Sequence, residues 1–239
     1  MEYSQFDPSP AARSFLACLW TLETNSREVQ RIVPDGRPEL IVHLGEPFDA
    51  CHDGAWVRQP RCFLAGQIVE PLLVRSSGAG KVLGARFHPH GAAKVFNQPM
   101  DTFTGKVLPC DFQVDTIAEL EALLIERLHI SDPLIDAFFA GVHVPEVSRR
   151  TFERRFKAAV GLTPKMFERI QRFQRVFREF ESGGKWVETA IACGYYDQAH
   201  LIHDMREFAG GAPSAIVESE ELARHFLSHS SKPDGETIP

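Results

Sequence analysis

The chain has 239 residues, enough for one large domain or two small ones, and 44% hydrophobic with 24% charged residues is ordinary for a folded protein. No window approaches the roughly 18 consecutive apolar residues of a transmembrane helix. The acidic start Met1–Asp7 lacks the basic and apolar stretches of a signal peptide, so a cytoplasmic protein is expected. The formal net charge of −6 argues against a polyanionic partner, but only as an average over the chain.

Residues 14–87 read as strands. Runs of mixed apolar and polar residues at Ser14–Glu23, Glu28–Val33 and Glu39–Leu44 are separated by turn-forming pieces, Pro34-Asp35-Gly36 and Gly45-Glu46-Pro47 among them. Ala55–Arg58, Cys62–Ala65, Pro71–Arg75 and Val82–Phe87 continue the pattern, with Ser76–Gly80 as a loop. Strands this short and this closely spaced predict a small antiparallel sandwich or barrel.

After Pro89 the pattern turns helical. Gly91–Asn97 is short. Ile117–Leu128 places Ile117, Leu120, Leu124 and Leu128 on one stripe, with Asp115 or Thr116 as its cap. Pro133–Ala140 starts with proline, whose missing N–H costs nothing at a first helical position. From Ser148 everything reads as helix. Ser148 caps a stripe of Phe152, Phe156 and Ala159 that ends at Gly161. Pro164 opens a long helix with Met166, Ile170, Phe173, Phe177 and Phe180 on one face, stopped by Ser182-Gly183-Gly184. Trp186–Cys193 forms a short helix closed by Gly194. Asp197 caps the next, in which Leu201, Met205 and Phe208 recur before Gly210-Gly211-Ala212-Pro213. The tail after about Ser228 is polar and is expected to be disordered.

Charge is distributed in blocks. Residues 145–186 carry 11 basic and 5 acidic side chains, a net +6, while the segments on either side are each at −6. A basic island in an acidic chain is a local footprint for a polyanion or, more blandly, a solvated helix face. Val187–Phe208 sharpens the choice: a short helix, a glycine turn and a capped second helix make the geometry that sets one helix into the major groove of DNA. Phased from Leu201, the second helix turns Ala199, His203 and Arg206 outward, with His200 and Glu207 flanking and Gln198 at its exposed start. Glutamine and histidine can exchange donors and acceptors with base edges. An ordinary amphipathic helix pair has the same periodicity.

The run Ala190-Ile191-Ala192-Cys193-Gly194-Tyr195-Tyr196-Asp197-Gln198-Ala199-His200-Leu201, followed by Phe208 and Gly210-Gly211-Ala212-Pro213, resembles the second helix-turn-helix of AraC-type transcription regulators. Ser148–Phe156 with Gly161-Leu162-Thr163-Pro164 resembles that family's first recognition helix, and Arg169–Gln174 is similar to the helix joining its two halves. The resemblance covers about residues 148–216. It implies two readers gripping adjacent major-groove faces of double-stranded promoter DNA, with RNA polymerase as a further partner. In the first reader Arg150, Arg154 and Lys157 face outward. By the family pattern Arg150 and Arg154 approach bases and Arg149 clamps a phosphate, roles that arginine's fork allows to be exchanged. In the second, Gln198, Ala199, His200 and His203 match the base-facing positions. The family also places a positioning helix just before the first reader. Here either Pro133–Ala140 fills that place across an unusual turn, or the helix is missing.

Pro34–Gly45 and Leu83–Ala92 resemble an N-terminal domain found ahead of such readers in bacterial regulators, which implies effector sensing, dimer contact, or both. His43, His52, His88 and His90 invite a metal reading, but their spacing supplies no recognisable ligand set. Cys18, Cys51, Cys62, Cys110 and Cys193 are scattered and odd in number, which predicts reduced thiols. No metal or cofactor is expected. The sequence thus predicts an α+β protein: a β-rich sensor or dimerisation domain at 1–115, linker helices at 116–144, an all-α double helix-turn-helix domain at 145–217 and a tail at 228–239. The expected activity is that of a non-enzymatic, sequence-specific DNA-binding regulator that answers to a small-molecule effector or a partner, with homodimerisation open. The alternatives are a ligand-binding β domain whose degenerate reader acts through protein contacts, and a cupin-like metalloenzyme.

Overall fold

The computed structural model describes residues 1–143, 146–181 and 190–211. Its strands are β1 (Glu2–Phe6), β2 (Leu16–Thr24), β3 (Val29–Ile32), β4 (Glu39–His43), β5 (Asp49–His52), β6 (Ala55–Arg58), β7 (Cys62–Ala65), β8 (Leu72–Arg75), β9 (Gly80–Phe87) and β10 (Val107–Pro109). They form two antiparallel sheets, one ordered β1-β2-β9-β4-β7-β10 and the other β3-β8-β5-β6. The helices are α1 (Gly91–Phe96), α2 (Ile117–Glu126), α3 (Pro133–Phe139), α4 (Arg149–Val160), α5 (Pro164–Glu181) and α6 (Gln198–Ala209), with residues 190–192 ending one more. The protein is α+β, with strands first and helices after.

Strand alternation assigns the two faces of the larger sheet. Leu19, Leu40, Val42, Leu64, Leu83, Ala85 and Phe87 point to one side, where α1 and α2 cover them with Ala92, Val95, Leu120 and Leu124. Their neighbours in register, Trp20, Leu22, Ile41 and Val82, pack on the other side, toward the smaller sheet. A cavity of about 1300 Å³ lies there, lined by both sheets.

Three strands went unread in the sequence. β1 is an edge strand paired to β2 from Glu2↔Glu23 to Phe6↔Leu19, and β10 is three residues long and ends in proline. β5 hairpins with β6 through Asp53 (φ 50°) and Gly54 (φ 80°), a left-handed pair that the Asp-Gly dipeptide signals. α2 stops at Glu126, so Leu128 is 38% exposed rather than part of the buried stripe, and Thr116 is the cap, accepting from the Glu119 amide. The expected stop at 182–184, the start of the helix at 186–189, Ala212-Pro213 and the tail lie outside the described residues.

The helical half has its own core, and strand-domain residues belong to it. Val33 and Ile135 are buried in one cluster with Phe156, Phe167, Ile170, Phe173, Leu201, Met205 and Phe208, with Val69, Phe138 and Phe139 packed at its margin. Hydrogen bonds run across the same junction. Gln171 and Gln174 of α5 donate to the carbonyls of Asp35 (3.0 Å) and Pro34 (2.6 Å), and Arg31 donates to the carbonyl of Ala209 (2.7 Å), while Gln67 holds Gly36 (2.9 Å) from within the strand domain. Gly36, at φ 80°, lies so close to Phe167 and Gln171 that a side chain there would clash with both.

Candidate nucleic-acid interface

α4 starts where the Ser148 hydroxyl accepts from the Thr151 amide (3.2 Å) and ends at Gly161, which takes φ 89°. Phe156, Ala159 and Val160 turn inward, leaving Arg149, Arg150, Arg154 and Lys157 exposed. Arg149 pairs with Glu153 one turn on (2.8 Å), and Lys157 reaches Asp101 of the strand domain (3.6 Å). Arg155 turns sideways and forks onto Asp132 (2.7 and 2.5 Å). That carboxylate also caps α3 by accepting from the Leu134 and Ile135 amides, and the Arg155 bonds hold it below the usual carboxylate range against the opposing effect of burial.

α3 is the element against which α4 rests. Phe138 packs on Phe152 and Phe156 (ring centroids 5.3 and 5.6 Å apart), and Phe139 packs on Phe156 and Phe167 (5.8 and 5.7 Å). α4 is thus packed on the helix that precedes it in the chain. His90 ties α3 back to the strand domain: its ring stacks on Phe139 at 4.5 Å and its Nε2 lies 3.2 Å from Asp136.

In the second unit Asp197 accepts from the His200 amide (2.7 Å) and so caps α6, while Leu201, Met205 and Phe208 face the core. Gln198, Ala199, His203 and Arg206 are exposed. His200 is half-buried, edge-on to Tyr195 (centroids 5.0 Å) and 3.3 Å from Arg172. The residue that most fixes α6 was not singled out from the sequence. Asp204 is fully buried, accepts from the Tyr195 hydroxyl (3.1 Å), and pairs with Arg169 (2.7 Å) and Arg172 (3.4 Å). Arg169 also holds Glu207 at 2.7 Å. Burial first, then the Asp204 charge, keeps the Tyr195 hydroxyl protonated well above its ordinary range. A polar residue flanked by Leu201, Met205 and Phe208 on an apolar face was the available signal.

Among the described residues, one group brings three possible metal-ligand atoms within 4.8 Å: His203, Asp204 and Glu207. Arg169 already occupies both carboxylates. The four histidines of the strand domain do not converge. His43 binds Gln59, His88 lies 3.1 Å from the Arg13 carbonyl, His90 meets Asp136, and His52 is exposed at the end of β5.

Residues 145–219 match a family described as a helix-turn-helix domain, and residues 4–109 match a domain of unknown function, DUF6597. No curated protein matches the chain. Solved structures of ToxT from Vibrio cholerae resemble it at 9% identity. One covers 82% of this chain and 97% of its own, with a TM-score of 0.42; another covers 92% and 100%, with 0.41. A ToxT structure bound to an unsaturated fatty acid covers 82% and 92%, with 0.39. The capped helix pairs and the matched segment define the C-terminal half as a helix-turn-helix DNA-binding domain. It is of the AraC type, and it follows a DUF6597 domain at residues 4–109. No helix among the described residues is long and apolar enough to cross a membrane.

Proposed function

We propose that the protein reads two adjacent major-groove segments of one operator with α4 and α6, and that a small molecule held between the sheets of the N-terminal half modulates that grip. The division of labour follows the sequence: 1–115 senses, 116–144 links and 145–217 reads, with α3 of the linker serving as the positioning helix of the first reader. Arg150 and Arg154 contact bases, while Arg149, Lys157 and Arg206 contact phosphates. Gln198, Ala199 and His203 form the reading edge of α6, and His200, turned against Tyr195, orients that edge.

The observation that carries this reading is α4 itself: one face is exposed and basic, and the opposite face is packed into a core that includes Val33 of the strand domain. A change at the Pro34–Gly36 loop therefore reaches the reader through packed side chains and hydrogen bonds rather than through a loose linker. Selection from a randomised duplex pool, sequenced at two salt concentrations, tests the reader. An enriched motif spanning two groove segments, bound more weakly at the higher salt, is expected. No enrichment at either salt would overturn the reading and assign the helical half to protein contacts.

A further inference from the structure

The cavity between the sheets has a defined chemistry on its wall. Trp20 lies opposite Gly84, which lies opposite Ile41; a methyl group at Gly84 would collide with the indole, so glycine lets the ring lie flat on β9. The Trp20 indole N–H is buried with no hydrogen-bond partner, although indole is a donor only. His43, two residues along β4 from Ile41, sits between Phe48 and Phe63 (centroids 5.2 and 6.0 Å). Its Nε2 faces the Gln59 carbonyl oxygen at 3.3 Å and so carries the hydrogen; Nδ1, also buried and without a partner, is left as an acceptor. Burial lowers the His43 pKa to about 4, so the ring stays neutral. Two such groups left buried and unsatisfied destabilise the fold unless a bound molecule supplies their partners.

A buried ion pair already stands at one end of the cavity. Arg86 pairs with Asp35 and lies 3.7 Å from Glu39, whose carboxyl burial pushes up to about 7. An anion brought there would find the Arg86 guanidinium engaged, and a cation would find Asp35 engaged. Leu22, Ile41, Phe48, Phe63 and Val82 make the rest of this wall apolar.

Resting on the effector reading above, we infer that the cavity takes an uncharged, largely apolar molecule of drug size that presents an acceptor oxygen to the Trp20 N–H and a donor to His43 Nδ1. Three probes of one shape discriminate the classes: 4-hydroxybenzophenone (neutral, carbonyl plus hydroxyl), benzophenone (no donor) and 4-benzoylbenzoate (anionic). Calorimetric titration of the full chain is expected to show 4-hydroxybenzophenone binding at least tenfold tighter than either of the others. His43→Phe should abolish its advantage over benzophenone, and Trp20→Phe should weaken both ketones alike, with thermal melts of each variant showing that it is folded. Tightest binding by the benzoate, equal binding of all three, or no binding by any of them overturns the inference. The reading it rests on is separated by adding the same probes to the operator complex. A tenfold preference with unchanged DNA affinity leaves the ligand class standing and removes the effector role. A benzoate that binds tightest and shifts DNA affinity does the reverse.

Discussion

His43 and Asp204 lie in different halves and meet burial differently: one gives up its charge, the other keeps it and gathers partners. For His43 the folded pKa, about 4, lies below the ordinary 6.5, so the unfolded chain takes up the proton first as pH falls. Stability is therefore fully present above pH 6.5 and is lost as the pH falls toward 4, by up to about 3 kcal/mol for this one group. His90, lowered to about 4 by burial and then by Lys94, acts in the same window, so His43→Gln should flatten urea-melt stability between pH 4 and 6.5 only in part. Asp204→Asn leaves the Arg169 and Arg172 guanidiniums without their buried carboxylate and should cost about 3 kcal/mol, read as a lower unfolding midpoint. On the exposed side, Arg154→Ala should weaken operator binding by about 1–3 kcal/mol at one base position. An equal loss on every sequence would make Arg154 a phosphate contact instead.

The elements that read most directly from the sequence are those whose signals are local. β6 and β7 fall at the expected residues, and Ser148, Asp197, Gly161 and Gly210 cap helices as read, because a cap is chemistry within one turn. β1 and β10 lack such signals; each is an edge strand made by its pairing, β1 with the next strand β2 and β10 with the distant β7, and Pro109 demotes β10 further. β5 did carry one in Asp53-Gly54, hidden by the weak strand character of Asp49, Ala50 and Cys51. The packing of α3 was also out of reach, since nothing in Pro133–Phe139 says that Phe138 and Phe139 meet Phe152, Phe156 and Phe167. That packing and the Asp132 cap give a prediction for the element. Asp132→Ala removes both the cap and the fork to Arg155 and should destabilise the chain by about 1–2 kcal/mol, measured by denaturant melt. Restoring the cap with Asp132→Ser should recover only the part due to α3.

Over the whole molecule the two halves share a core, and this was the least legible feature: Val33 and Val69 read as ordinary strand-domain residues until the helices are set against them. The cavity was hidden for the same reason, because alternation in Glu39–His43 shows that Glu39, Ile41 and His43 share a face but not what that face encloses. A shared core predicts one cooperative thermal transition, seen identically by the fluorescence of Trp20 and Trp56 in a Trp186→Phe background and by helical circular dichroism; two separated transitions would contradict it. The junction at Pro34–Gly36 has a further consequence. Three successive carbonyls there are held by three glutamine amides, Gln174, Gln171 and Gln67, none of which titrates or attracts counterions. In the proposed reading, by contrast, reader and operator meet through cations and phosphates. Raising the ionic strength should thus loosen the grip on DNA while leaving whatever passes through this loop at full size, so that occupancy and responsiveness are set in part by separate physical dials.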